Sequence, residues 1–148
     1  MSAEDILQEF KNQLVNFFDE LINQFPSEGD LVVIRLFLSN QIPIRDVMNH
    51  FNYQLNKENK LFKTMIKNRD EQFFLENNLF DLKGSKRDKM SHFKRLWRSG
   101  VLDDEDKEVM WRWVDSFVYL SDKYAKALAK ADIEEIKTII PQMFCWKI

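Results

Sequence analysis

Side chains able to do acid–base or nucleophilic work near neutral pH are few. The 148-residue chain holds two histidines, His50 and His92, and one cysteine, Cys145. A helical metal site of the common kind needs two histidines four residues apart, and a general base needs a partner to orient it. Neither histidine has such a neighbour in the sequence, and His50, next to Phe51 in an apolar helical pattern, reads as a half-buried packing residue. Cys145 lies between Phe144 and Trp146, where a small apolar filler is the better reading. A single cysteine also leaves no internal disulfide and no cysteine-rich zinc site. The chain has no phosphate-cradling glycine loop, nucleophile elbow or dinucleotide fingerprint. No catalytic residue, metal or cofactor is therefore expected, and the chain is read as no enzyme.

Two acidic groups and one basic run remain. Asp103, Asp104, Glu105 and Asp106 lack the glycine and closing glutamate of a calcium loop, and fit the positive end of a helix instead. Asp70 and Glu71 stand between Arg69 and the apolar Phe73-Phe74-Leu75. A magnesium site there, or an unfamiliar carboxylate enzyme, is the sharper reading. A salt bridge to a lysine or arginine is the better one, since aromatic neighbours make an unpaired carboxylate costly. Residues 83–98 carry seven bases (Lys83, Lys86, Arg87, Lys89, Lys94, Arg95 and Arg98) against Asp88 alone. Such a run on a helix offers salt-sensitive contacts to phosphates without sequence choice. Against this stands a simpler account, a solvated face answering residues 1–30, where seven acids meet only Lys11.

Helices must position all of these residues. Gly and Pro number three each while aromatic residues make up 14% of the chain, a composition poor in tight turns and rich in core material. Ser2 with Asp5 forms a capping box ahead of Ile6, Phe10, Leu14, Phe17, Leu21 and Phe25, spaced as a long amphipathic helix that Pro26 ends. Residues 31–40 suit a short helix or a buried strand, because Val32, Val33 and Ile34 are β-branched. Pro43 opens a helix bearing Ile44, Val47, Met48, Phe51 and Leu55. A fourth carries Leu61, Phe62, Met65 and Ile66 inward and Lys60, Lys63 and Lys67 outward, and then bends or breaks near Asn68. Ser85 with Asp88 caps a helix holding Met90, Phe93 and Trp97, which Gly100 closes.

The stretch 103–128 is apolar over most of its girth, with Met110, Trp113, Phe117, Leu120, Tyr124 and Leu128 on one stripe and Trp111, Val114, Val118 and Ala125 on the next. It is the expected centre of the molecule. Asp132 with Glu135 caps a last short helix with Ile133, Ile136 and Ile140, and Pro141 stops it. The remainder, residues 141–148, forms an apolar tail expected to dock on the bundle or on a partner. The fold class expected is all-α: one domain, residues 1–148, a helical bundle of six to seven helices around the long helix 103–128. The opening Glu4 and Asp5 are unlike a secretory signal, and the aliphatic run Leu31 to Ile34 is too short for a membrane span, so an intracellular protein is expected.

Phe25-Pro26, Arg69-Asp70-Glu71 with Phe73-Phe74-Leu75, Leu96-Trp97, and Asp106-Lys107 followed by Trp111, Leu120 and Tyr124 resemble a family of small uncharacterised proteins of nucleocytoplasmic large DNA viruses. The likeness covers residues 10–128. It implies a viral protein of the host cytoplasm or the virion, and carries over no catalytic residue. The leading functional expectation is a protein–protein interaction module, a viral adaptor or virion-associated scaffold, that contacts a viral or host protein or itself through Asp70, Glu71, Phe73, Phe74, Phe144 and Trp146. Non-specific nucleic-acid binding through 83–98 is the alternative. A mimic of helix-gripping apoptosis regulators is a lesser one, for Leu96-Trp97-Arg98-Ser99-Gly100 keeps only fragments of their signature.

Overall fold

The computed structural model describes residues 2–77, 97–98, 100 and 102–145, and side chains as far as residue 140. Among the described residues the chain is all-helical, with five α-helices and a π-helical turn. The Ser2 hydroxyl accepts from the Asp5 amide at 3.2 Å, and the Ser2 amide donates to the Asp5 carboxylate at 3.1 Å, so the capping box that starts α1 (Ala3–Gln24) is closed on both sides. Both bonds satisfy donors that a helix start leaves open. Ile6, Phe10, Leu14, Phe17 and Leu21 make its buried face. Pro26 follows the Phe25 cap, and the chain turns into α2 (Gly29–Leu36).

Residues 31–40 are helical, not extended. α2 runs into the π-helical turn Phe37–Gln41, closed by the Ile42 amide on the Phe37 carbonyl at 3.0 Å. Leu31, Ile34 and Leu38 reach the core at helical spacing while Val32 is exposed, which explains the outcome: a strand would have alternated these side chains differently. Pro43 caps α3 (Ile44–Lys67), whose first half buries Val47, Met48, Phe51 and Leu55. Lys57 is extended, and Glu58, Asn59 and Lys60 take φ of 53°, 56° and 61°, a left-handed turn after which the second half buries Phe62 and Ile66. The chain breaks again after Asn68, and the Asp70 carboxylate accepts from the Phe73 amide at 3.0 Å to start α4 (Glu71–Glu76).

Asp103 and Asp106 form a second reciprocal cap, at 2.8 and 3.2 Å, ahead of α5 (Asp104–Cys145). α1 and α3 pack on α5 and on each other. Phe117 lies at the centre, with ring centroids 5.9 Å from Phe10, 5.6 Å from Phe17 and 6.5 Å from Phe51. A second aromatic group, Phe74 with Trp111 at 5.1 Å and Trp97 at 5.8 Å, fastens α4 to α5. Each large ring removed from water contributes about 1.5–3 kcal/mol, so these two groups outweigh the surface ion pairs.

Helix α5 departs from the expected pattern. The break foreseen at Asp132 is absent, and Pro141 does not stop the helix, which runs to Cys145. Ala125, Ala127, Ala129 and Ala131, interleaved with Lys126, Leu128 and Lys130, are strong helix formers. A helix already nucleated in the bundle propagates through them cheaply, and this outweighs the Asp132 cap signal. The separate short helix and the tail beginning at 141 are therefore replaced, as far as Cys145, by one continuous helix.

Candidate functional site

Residues 131–140 of α5 are all exposed, so the helix leaves the bundle as an arm. Between Met110 and Tyr124 the same helix buries Met110, Trp111, Val114, Phe117, Leu120, Ser121 and Tyr124. On the arm, Ile133, Ile136, Ile139 and Ile140 stand 52%, 53%, 44% and 45% exposed. Isolated exposed leucines and isoleucines are ordinary, but four on two helical turns form a ridge that water solvates poorly. An ion pair between Lys137 and Glu134 at 3.9 Å supports the helix locally.

The bundle end of α5 is held by polar contacts as well as rings. Ser121 is fully buried, and its hydroxyl and carbonyl accept from the Asn52 side chain at 2.8 and 3.1 Å. A small residue here lets α3 approach closely, and the amide satisfies what burial would otherwise strand. Lys63 was expected to face outward. It is drawn instead onto Asp122 at 2.6 Å, bridging α3 and α5.

The Asp70 to Leu75 segment is largely occupied within the fold. Arg69 forks onto Asp115 at 2.8 and 2.7 Å, and its guanidinium lies over Trp111 at 5.3 Å. The hydrogen bonds to Asp115 push the Arg69 pKa upward. Asp70 serves as a helix cap, and Glu71 reaches Lys107 at 3.5 Å, the salt bridge the sequence suggested. Phe74 is buried, and Phe73 is half-buried with its ring 5.1 Å from Phe62. What this segment leaves exposed is an edge of Phe73, Gln72 and Glu76.

The other sequence candidates fall less favourably. Lys83, Lys86, Arg87, Lys89, Lys94 and Arg95, together with His92 and Trp146, lie outside the described residues, as do the side chains of Phe144 and Cys145. Arg98 is described and exposed, beside the buried Trp97. His50 is half-buried, 3.5 Å from the Gln54 amide. It lines an open groove of about 690 Å³ with Ile42, Pro43, Asp46 and Tyr53 at the start of α3. Among the described residues no three His, Cys, Asp or Glu side chains converge as a metal site would require. No helix among them is long and apolar enough to cross a membrane.

Sequence reasoning missed the isoleucine ridge as a surface because Asp132 and Glu135 imitate a cap. The signal available was the run of helix formers ahead of it, alanines alternating with Lys126, Leu128 and Lys130, with no glycine or proline between Leu102 and Ile140. No family model, curated protein or solved structure matches the chain.

Proposed function

We propose that the chain is a non-enzymatic helical interaction module, in which the α1–α3–α5 bundle anchors a projecting α5 arm that offers its isoleucine ridge to a protein partner. One observation supports the reading: a single helix buries most of its apolar residues as far as Tyr124, Val109 and Tyr119 excepted, and exposes all of those described from Leu128 onward. Selection of apolar side chains for folding has no use for a ridge in water, whereas binding does. The resemblance noted in the sequence supplies a setting, an adaptor or virion-associated scaffold of a large DNA virus. Replacing Ile133, Ile136 and Ile140 together with Ala tests the idea. At high dilution the cooperative melting temperature is expected to stay within about 2 °C of the parent, while binding of an apolar dye falls. A large drop in melting temperature would make the ridge ordinary core and end the proposal.

A second reading is nucleic-acid binding through the basic run, favoured by the exposed Arg98 at its C-terminal end. Its mark is a gel shift whose affinity falls steeply with salt and is lost when Lys86, Arg87, Lys94 and Arg98 become Glu. A shift indifferent to salt would remove it.

A further inference from the structure

We infer that the α5 arm is a parallel coiled-coil strand and that its partner is a second copy of this chain. The inference rests on the interaction-module reading and names the partner. Ala129, Ile133, Ile136, Ile140 and Met143 follow one another at steps of four, three, four and three residues, the spacing of a heptad seam. Ile133 and Ile140 then occupy a positions, and Ala129, Ile136 and Met143 occupy d positions. The flanking g positions hold Asp132 and Ile139, and the e positions Lys130 and Lys137.

Charge selects the orientation. When two such helices run parallel, each g residue meets the e residue five positions on in the partner, which sets Asp132 against Lys137 twice across the twofold axis. When they run antiparallel, e meets e, and Lys130 faces Lys137. Lys137 is well exposed and makes a long pair with Glu134 at 3.9 Å, which the partner's Asp132 can replace.

The bundle leaves room for the second helix. Carried back through α5, the same register places the buried Val114, Phe117, Leu120, Ser121 and Tyr124 at b, c and f. At about 100° per residue, that side is turned roughly 180° from the a and d seam. On the seam side the a positions of the bundle portion, Arg112, Tyr119 and Lys126, are exposed, while its d positions, Asp115 and Asp122, are tied to Arg69 and to Lys63 of α3, so the second helix pairs along the arm beyond Lys126 and not along the bundle. Along the arm, the side that would continue toward the bundle is polar, with Glu134, Glu135 and Thr138. The arm is thus not a core helix that has lost a neighbour on its bundle side; its apolar face has moved to the opposite side.

Two heptads bury less than a standard interface, so the association is weak and concentration-dependent. Light scattering of the full chain is expected to show one-chain mass at about 1 µM rising toward two-chain mass by about 200 µM. Ile136→Lys is expected to hold the mass at one chain throughout with unchanged melting at low concentration. Lys137→Asp, which sets Asp against Asp132, is expected to weaken dimerisation about tenfold, and Asp132→Lys added to it to restore the parent affinity. A single-chain mass for the parent at every concentration overturns the self-pairing. So does a dimer that Ile136→Lys leaves intact, or a charge exchange without rescue. In each of these cases the general module still stands if the Ile133, Ile136, Ile140 triple Ala variant keeps its melting temperature, and falls with the inference if it does not.

Discussion

Asp5 shows how a fully exposed residue can still matter. Its carboxyl is held below the ordinary value first by the Ser2 amide and then by the Ser2 hydroxyl, bonds only the ionised form makes well. A folded-state pKa below the unfolded one means that the cap stabilises the chain above the ordinary carboxylate range and ceases to do so as pH falls through the folded value. Ser2→Ala is expected to move the Asp5 titration midpoint, read by NMR, up toward 3.8, and to fray the first turn of α1 at neutral pH. Because the Ser2 amide, the larger cause, is kept in the variant, an unchanged midpoint would mean that the Ser2 hydroxyl does not act on Asp5 in solution. Ser121 carries the opposite lesson, because its weight comes from burial. Asn52→Ala strands a hydroxyl and is expected to cost about 1–3 kcal/mol in denaturant unfolding, with Ser121→Ala added on top costing much less than its separate effect. Additive losses would show that the two side chains do not act as a pair. Both residues are plain in the sequence, but only Asp5 is legible there, since its partner is three positions away while Ser121 finds Asn52 through the packing of two helices.

At the scale of elements, the breaks are as informative as the helices. Glu58, Asn59 and Lys60 occupy left-handed backbone that costs residues with a Cβ about 1 kcal/mol each. Phe62 and Ile66 follow Leu55 by seven and eleven residues and would share its face in an unbroken helix too, so the burial of these three does not explain the turn. Glu58→Gly removes the steric cost and is expected to raise stability by up to about 1 kcal/mol in a urea melt. A loss of that size would argue for an ordinary helical turn at this point. A bend or a break near Asn68 was open in the sequence and the packed chain takes the break, while Asp70, which reads in the sequence as a salt-bridge or magnesium carboxylate, is a helix cap. The left-handed turn carried no glycine to announce it. In α5 the error ran the other way: Asp132 and Glu135 have the right types for a cap but lie in a sequence of helix formers.

For the whole molecule, the core and the arm divide the work. Phe117 is fully buried among Phe10, Phe17, Phe51 and Trp113, and Phe117→Ala is expected to cost about 3–5 kcal/mol, enough to unfold much of the protein at moderate temperature. Ile133, on the arm, is expected to tolerate the same exchange with no cooperative loss when the protein is dilute. Comparable losses at the two positions, measured by calorimetry, would mean that arm and bundle form one core. The helical class, the caps at Ser2 and Asp103, the break at Pro26 and the inward faces of α1 and α3 were all readable in the chain, because each depends on residues within a turn or two of one another. Which side of α5 meets α1 and α3, where those helices run out, and hence whether an isoleucine is core or surface, depend on how far elements distant in sequence reach in space. Periodicity states that a face is apolar; only the packed molecule says what covers it.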